Sequence, residues 1–448
     1  MFSSPEKKRT MSAPQIIALG FLAIIFVGGL LLSFPISSAD KAFTPFSDSL
    51  FTAVSATCVT GLTTVSTLTH WSAFGKGLIL LLIQIGGLGF MAMAFMVSLV
   101  VRRSVTPREK LIFAQSMNLP TNGSLTSFLK YMVRFAFTVE GAGALLLSFP
   151  MCMDFGFPEG IVKAVFHSVS AFCNAGFDTM PTPSLTSYAD NVYVNAVIIC
   201  LVVSGGLGFI VWREISELIH KKKPLSLYSR LVITITAILI FGGALFYLVC
   251  EWSNPDTLGD CSFGSKMIRS LFQSITTRTA GFNSINMDKL TPLSKFGTLL
   301  LMFIGGSPGS TAGGIKTVTI GIVLISVFNI ARGRSDIDLC RRQIDRSNVL
   351  RAFALTSLAL TLVGIGTVLV YAFDGNDLLD SAFEVVSAFG TVGLSTGMTA
   401  SLGLASRIVL MILMFSGRVG LFTVSFATLV RINRDRAIKY PTANILIG

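Results

Sequence analysis

One short pattern occurs four times in this chain. It reads FTAVSATCVTGLTTV at 51–65, FHSVSAFCNAGFDTM at 166–180, FQSITTRTAGFNSI at 272–285 and FEVVSAFGTVGLSTG at 383–397. Each copy is an amphipathic stretch running into one glycine: Gly61, Gly176, Gly281 and Gly393, spaced about 110 residues apart. A fourfold repeat inside one chain builds a unit around a central axis. The rest of the chain says what surrounds that axis and what passes along it.

Composition places the axis in a membrane. Hydrophobic residues make up 52% of the chain and charged residues 13%, where soluble domains carry about 25% charge. Two long apolar runs flank every block. They cover 12–34 and 73–101, 127–150 and 191–212, 229–250 and 294–330, and 350–372 and 405–430. A spanning helix needs about 20 apolar residues, so the sequence predicts eight spans. The blocks are shorter, about a dozen helical residues or roughly 18 Å. A helix of that length enters the membrane and turns back. Irregular backbone at that depth is tolerated only where protein buries it or water bathes it, and four such loops around one axis meet that condition together. The expected fold is therefore an all-α polytopic membrane protein with four re-entrant loops around one central pore.

Charge agrees with eight crossings. Lys7, Lys8 and Arg9 precede the first run, and Arg102, Arg103, Arg108 and Lys110 follow the second. Further clusters lie at Arg213–Arg230, at Arg332–Arg351 and at Arg431–Lys439. All fall on one side, which the positive-inside rule makes cytoplasmic, together with both termini. The opposite loops are acidic, among them Asp48, Asp154, Asp178, Asp190, Glu251 and Asp380. Topology thus explains the net charge of +12 without nucleic acid. Trp71, Trp212 and Trp252 fall near run ends, as an interfacial belt would have them. The seven cysteines carry no CxxC pair and the three histidines are isolated, so neither a disulfide framework nor a metal site is expected. No cleavable signal peptide is evident before the first run.

A dehydrated monovalent cation needs oxygen ligands that replace its water, and rings of backbone carbonyls supply them. Glycine is the residue that takes the required dihedrals at least cost. The candidate filter residues are Val59, Thr60, Gly61 and Leu62; Asn174, Ala175, Gly176 and Phe177; Thr279, Ala280, Gly281 and Phe282; and Thr391, Val392, Gly393 and Leu394. A helix ahead of each would aim its negative C-terminal end at the membrane centre, which favours a cation there. A single such glycine is more often a helix C-cap; four in register argue for a filter.

The second run of each repeat carries its own small motif: Gly86-GLGF, Gly205-GLGF, Gly305-GSPG and Gly417-RVGLF. In the first two, close helix packing through small residues accounts for it. The third differs. A continuous helix over 294–330 would be roughly 55 Å long, too long for a bilayer core near 30 Å. The segment 305–314 is glycine-rich, with a proline and three hydroxyl residues, and predicts a broken helix with a polar intramembrane loop. It fails as a phosphate loop because Ile315 stands where the lysine should be.

The four blocks, GGSPGSTAGGIK at 305–316 and FSGRVGLF at 415–422 resemble the Trk/Ktr/HKT superfamily of potassium-translocating membrane subunits, most of all the bacterial Ktr and Trk types, over essentially the whole chain. The resemblance implies four M1–P–M2 units in one chain: repeat 1 over 1–110, repeat 2 over 111–223, repeat 3 over 224–335 and repeat 4 over 336–448. It implies potassium as substrate, with glycine in all four filter blocks favouring potassium over sodium, and sodium as a candidate co-ion. It implies a gate at the intramembrane loop, here Gly305, Gly306, Ser307, Gly309, Ser310, Thr311, Gly313, Gly314 and Lys316. It also implies a homodimer in the plasma membrane and a cytosolic RCK-type ring on the basic face. No cofactor is expected in this chain; ATP, ADP or NAD(H) would sit on that partner, since no GxGxxG follows a strand here.

Arg418 lies near the middle of the eighth run. A charge at that depth costs at least about 2.5–3.5 kcal/mol, so something compensates it. One reading makes it a strut to carbonyls of the broken third-repeat helix. The other, which the resemblance favours, makes it a cationic barrier below the filter that holds the loop closed. An enzyme or a carrier of a larger solute would need a catalytic cluster or a roomy polar site. The sequence offers neither, and the nearest intramembrane carboxylate, Glu140, suits a polar contact with a neighbouring helix.

Overall fold

The computed structural model describes residues 13–89, 92, 125–182, 184–334, 337–339 and 342–421. Lys7, Lys8, Arg9, Arg102, Arg103, Arg108, Lys110, Arg341, Arg431, Arg434, Arg436 and Lys439 lie outside the described residues, as do the ends of the runs 73–101 and 405–430. The chain order is α1 (Ala13–Ser33), α2 (Phe46–Thr57), α3 (Ala73–Leu88), α4 (Leu125–Phe155), α5 (Glu159–Phe172), α6 (Val192–Leu207) and α7 (Phe209–Lys221). It continues with α8 (Leu227–Cys250), α9 (Phe263–Thr276), α10 (Pro292–Phe303), α11 (Thr317–Ala331), α12 (Arg346–Asp374), α13 (Leu378–Gly390) and α14 (Leu404–Val419). Among the described residues the only sheet pairs Asp338–Leu339 with Arg342–Gln343, antiparallel.

Among the described residues four helices, α1, α4, α8 and α12, are long and apolar enough to cross a membrane. Their outward faces carry Phe149, Phe241 and Val368, which are 68%, 69% and 62% exposed. Such faces suit hydrocarbon, which solvates apolar side chains but satisfies no backbone group. Each long helix packs on the short helix that follows it: α1 on α2, α4 on α5, α8 on α9 and α12 on α13. The short helices are 12–14 residues long and sit inside this frame, with their C-terminal turns buried apart from the partly exposed Val169. Good N-caps start the helices that come next. Ser72, Asn191 and Thr291 accept from the N–H groups of Gly75, Val194 and Ser294 at 3.2, 3.1 and 3.3 Å, which satisfies donors the helix leaves free.

The second helices differ from the sequence expectation of unbroken spans. The run 191–212 is two helices, α6 and α7, bent by 100° at Gly208. Gly208 has φ +93°, and α3 and α14 stop at Gly89 and Gly420 with φ +83° and +92°. Only glycine adopts such dihedrals freely. The motifs at 86–89, 205–208 and 417–420 therefore do two jobs. The first glycine allows packing: a Cβ on Gly86, Gly205 or Gly417 would run into the carbonyl oxygen of Thr57, Phe172 or Phe389 at the end of a short helix. The last glycine breaks the helix. In the third run, as the composition predicts, α10 and α11 are separated by a non-helical segment at 304–316, closed by a parallel bridge between Ile304 and Ile315.

Trp71 departs from the interfacial expectation. It is 1% exposed and lies under His70, ring to ring at 4.8 Å. Its backbone bridges to Ser38, which draws the ring into the protein. Trp252 remains on the surface, over Lys266.

Candidate functional site

The four short helices end in the same way. Each is followed by a residue in the left-handed region: Val59, Asn174, Thr279 and Thr391, with φ of 59°, 58°, 65° and 52°. Two residues later comes the block glycine, Gly61, Gly176, Gly281 or Gly393, with φ of 96°, 68°, 80° or 91°. A left-handed β-branched residue is costly, of order 1–3 kcal/mol, and here three of the four positions carry one. The left-handed residue recurs at the same place in all four blocks.

The four glycines close a ring. A first side-chain carbon on Gly61 would stand 2.5 Å from Ala175 O and 3.1 Å from Gly176 Cα. On Gly176 it would stand 2.9 Å from both Ala280 O and Gly281 Cα. On Gly281 it would meet Val392 O and approach Gly393 Cα to 3.3 Å. On Gly393 it would meet Thr60 O and return to Gly61 Cα at 3.0 Å. The apolar side chains of the same stretches, Val59, Leu62, Ala175, Phe177, Ala280, Phe282, Val392 and Leu394, are all buried in the protein. What these segments present to one another at the centre is backbone.

A hydroxyl anchors each stretch. Ser55, Ser170, Thr276 and Ser387 each lie four residues after the block phenylalanine. Ser55 and Ser387 Oγ accept from Gly61 and Gly393 N, each at 3.1 Å. Ser170 and Thr276 hydroxyls donate to Phe177 and Phe282 O at 2.7 and 2.6 Å. The carbonyls of the same four residues accept from Thr60, Ala175, Ala280 and Val392 N. Sequence reasoning missed this row, although its signal is plain: a Ser or Thr at one fixed offset in four blocks. The third block is one residue shorter between its phenylalanine and glycine, and Thr276 keeps the anchor in place.

The segment 304–316 lies against the same centre. Thr311 Oγ1 donates to Phe172 O at 3.1 Å, and a Cβ on Gly313 or Gly314 would meet Thr391 or Gly390. The segment is tied to the bend between α6 and α7 by three backbone bonds: Ser307 N to Gly206 O at 3.1 Å, Thr311 N to Gly205 O at 3.2 Å and Phe209 N to Gly309 O at 3.0 Å. Inside it, Ser310 Oγ donates to Ser307 O, Ser307 Oγ pairs with Thr317 Oγ1, and Lys316 Nζ donates to Ala312 O. Tyr228 at the start of α8 donates to Pro308 O at 2.9 Å.

Arg418, at the end of α14, reaches across to this segment. Nη1 donates to Thr311 O; Nη2 donates to Gly86 O and, at 2.9 Å, to Gly87 O. The guanidinium thus joins the end of α3 to the segment. Glu140 on α4 accepts twice from Gln84 Nε2 on α3, at 3.0 and 3.1 Å. Among the described residues no group of three or more His, Cys, Asp or Glu could hold a metal ion.

Charged pairs join neighbouring units at the opposite end from this segment. Arg407 meets Asp48 at 2.7 Å, Arg269 meets Asp190 at 2.7 Å and Lys295 meets Asp380 at 2.8 Å. They link α14 to α2, the turn before α6 to α9, and α10 to α13, in each case partners far apart in sequence.

Long apolar helices around a closed ring of backbone, with the polar segment 304–316 packed against it, define a polytopic membrane protein. Residues 4–440 match the family model described as "TrkH: Cation transport protein", and the chain belongs to that family of transporters. It is 39% identical over 446 residues to the potassium/sodium uptake protein NtpJ of Enterococcus hirae, covering 98% of both chains. It is 37% identical to Ktr system potassium uptake protein B of Bacillus subtilis, covering 97% of this chain and 96% of that one. The fold matches the crystal structure of the potassium transporter TrkH from Vibrio parahaemolyticus with a TM-score of 0.70 at 20% identity, over 96% of this chain and 87% of that one.

Proposed function

We propose that this chain takes up potassium through a selectivity filter made by the four block segments. The observation that carries the reading is the closed ring of four glycines, each two residues after a left-handed residue and each facing the backbone of the next block. Alternating left- and right-handed backbone turns successive carbonyls toward one side, which is how a chain builds oxygen rings for a dehydrated cation. The names of the relatives, potassium/sodium uptake protein and potassium uptake protein B, point to the same substrate.

On this reading the chain is four M1–P–M2 repeats, 1–110, 111–223, 224–335 and 336–448, making eight crossings with both termini in the cytoplasm. The bend at Gly208 then falls within a second helix, α6 and α7 together making one crossing. The segment 305–314 with Lys316 is the gate, and Arg418 is both its latch and a cationic barrier below the filter. The protein works in the plasma membrane as a homodimer. A cytosolic RCK-type ring carrying ATP, ADP or NAD(H) sets the gate from outside the chain, consistent with relatives named as members of a Ktr system.

The test is ion flux into liposomes containing the purified protein, under potassium, rubidium, sodium and lithium gradients, with and without the nucleotide-binding partner. Potassium and rubidium flux well above sodium and lithium flux is expected. Equal flux for all four ions would overturn the filter reading.

A further inference from the structure

Every block carries a polar residue directly after its phenylalanine: Thr52, His167, Gln273 and Glu384. All four are buried, and Glu384, His167 and Gln273 are fully so. Burying an ionisable side chain costs several kcal/mol unless hydrogen bonds compensate it, so the partners of Glu384 are informative.

Those partners all lie on the segment that leaves the ring in the fourth block. Glu384 Oε1 accepts from Ser395 Oγ at 2.5 Å and from Thr396 N at 3.1 Å, and Oε2 accepts from Thr399 Oγ1 at 2.6 Å. Ser395 Oγ in turn accepts from Gly397 N at 2.9 Å. Glu384 and Ser387 are three residues apart on α13, so they share one helix face. Ser387 holds Gly393 N as the chain turns through the ring, and Glu384 holds the chain two, three and six residues further on. In the second block His167 spans a similar place: Nδ1 pairs with Lys163 O at 2.7 Å and Nε2 accepts from Thr179 N at 3.4 Å, three residues after Gly176. The ring order places blocks two and four opposite each other.

We infer that Glu384 is a positioning residue for ion selectivity: its three bonds to Ser395, Thr396 and Thr399 hold the outer leg of the fourth filter segment and so fix the carbonyl ring at Gly393. This rests on the filter reading and adds to it a residue outside the filter that sets its dimensions. An ion-sized ring discriminates only if its oxygens keep their spacing when sodium arrives, and the short backbone stretch from Gly393 to Thr396 keeps it only while both ends are held. Glu384 makes no contact with the ion.

The experiment compares Glu384→Gln, Glu384→Ala and the double variant S395A/T399A with Gly393→Ser, all purified and placed in liposomes, for potassium uptake in competition with sodium. Glu384→Gln keeps the shape and one carbonyl acceptor, so its sodium-to-potassium KM ratio should stay within about threefold of the parent. Glu384→Ala and S395A/T399A remove the strut from opposite sides, with the loss of three bonds and of two, and each should lower that ratio by about tenfold or more. The maximal rate should change much less. If Glu384→Ala does not insert, S395A/T399A, which leaves the carboxylate in place, carries the test. An unchanged KM ratio in inserted S395A/T399A protein, while Gly393→Ser alters it, overturns the positioning role and leaves the filter intact. No change in any variant, Gly393→Ser included, overturns the filter reading itself.

Discussion

Arg418 Nη1 donates to the carbonyl of Thr311, a residue 107 positions earlier in the chain. The same guanidinium holds Gly87 O at 2.9 Å. One side chain therefore fastens the segment under the ring to the end of α3. Removing its charge while keeping donors separates latch from strut. Arg418→Gln should leave potassium uptake per inserted molecule equal or higher, with an altered dependence on membrane potential. A fall in extracted protein with unchanged flux per molecule would instead make Arg418 a strut only.

The segment 304–316, proposed as the gate, is held by three backbone bonds to the bend at Gly205–Phe209 as well as by Arg418. Deleting 306–313 removes all of those acceptors and donors on one side and leaves the ring residues in place. The maximal uptake rate should rise, while KM for potassium stays within about twofold, below the tenfold per 1.4 kcal/mol of a lost ion contact. Initial-rate uptake across a range of potassium concentrations checks it. Loss of uptake in well-inserted protein would make the segment structural packing.

The hydroxyl row gives a graded prediction. Ser387→Ala leaves Gly393 N without its acceptor, at a cost of about 1–3 kcal/mol for a buried unsatisfied donor. Potassium KM should rise several-fold, and Thr276→Val should act in the same direction through Phe282 O. Competition uptake with sodium reads both.

A glycine at a helix contact predicts a stability effect without a selectivity effect. A Cβ on Gly297 meets the ring of Phe246, so Gly297→Ala forces α10 away from α8. Overpacking of this kind costs about 1–3 kcal/mol. The midpoint of thermal unfolding of the detergent-extracted protein should fall, with the sodium-to-potassium KM ratio of the surviving protein unchanged.

Much of this molecule was legible in its sequence, and the limits have physical causes. The four blocks, their ring glycines and the break at 304–316 follow from periodicity, spacing and composition. The breaks at Gly89, Gly208 and Gly420 did not, because a glycine is chosen either for its missing Cβ or for its positive φ, and the letter is the same. Gly205 serves the first need and Gly208 the second, three residues apart. Trp71 is buried rather than interfacial because nearness to a run end says nothing about which way the ring turns. Glu384 is not legible as a strut, because a single carboxylate among apolar residues gives no hint of donors 11 to 15 residues on. The contact between Arg418 and the loop follows from the compensation a mid-span charge demands and from the family resemblance.

The central claim is that the four-glycine ring sets selectivity, and substitution within it tests this most directly. A side chain on Gly61 would press on Ala175 O at 2.5 Å, and one on Gly281 on Val392 O. Potassium and sodium uptake are measured in liposomes for Gly61→Ser and Gly281→Ser, normalised to inserted protein. The account predicts that potassium KM rises and sodium permeation increases, with the KM ratio shifting by about tenfold or more, equivalent to 1.4 kcal/mol. Unchanged affinities for both ions in both variants would contradict it.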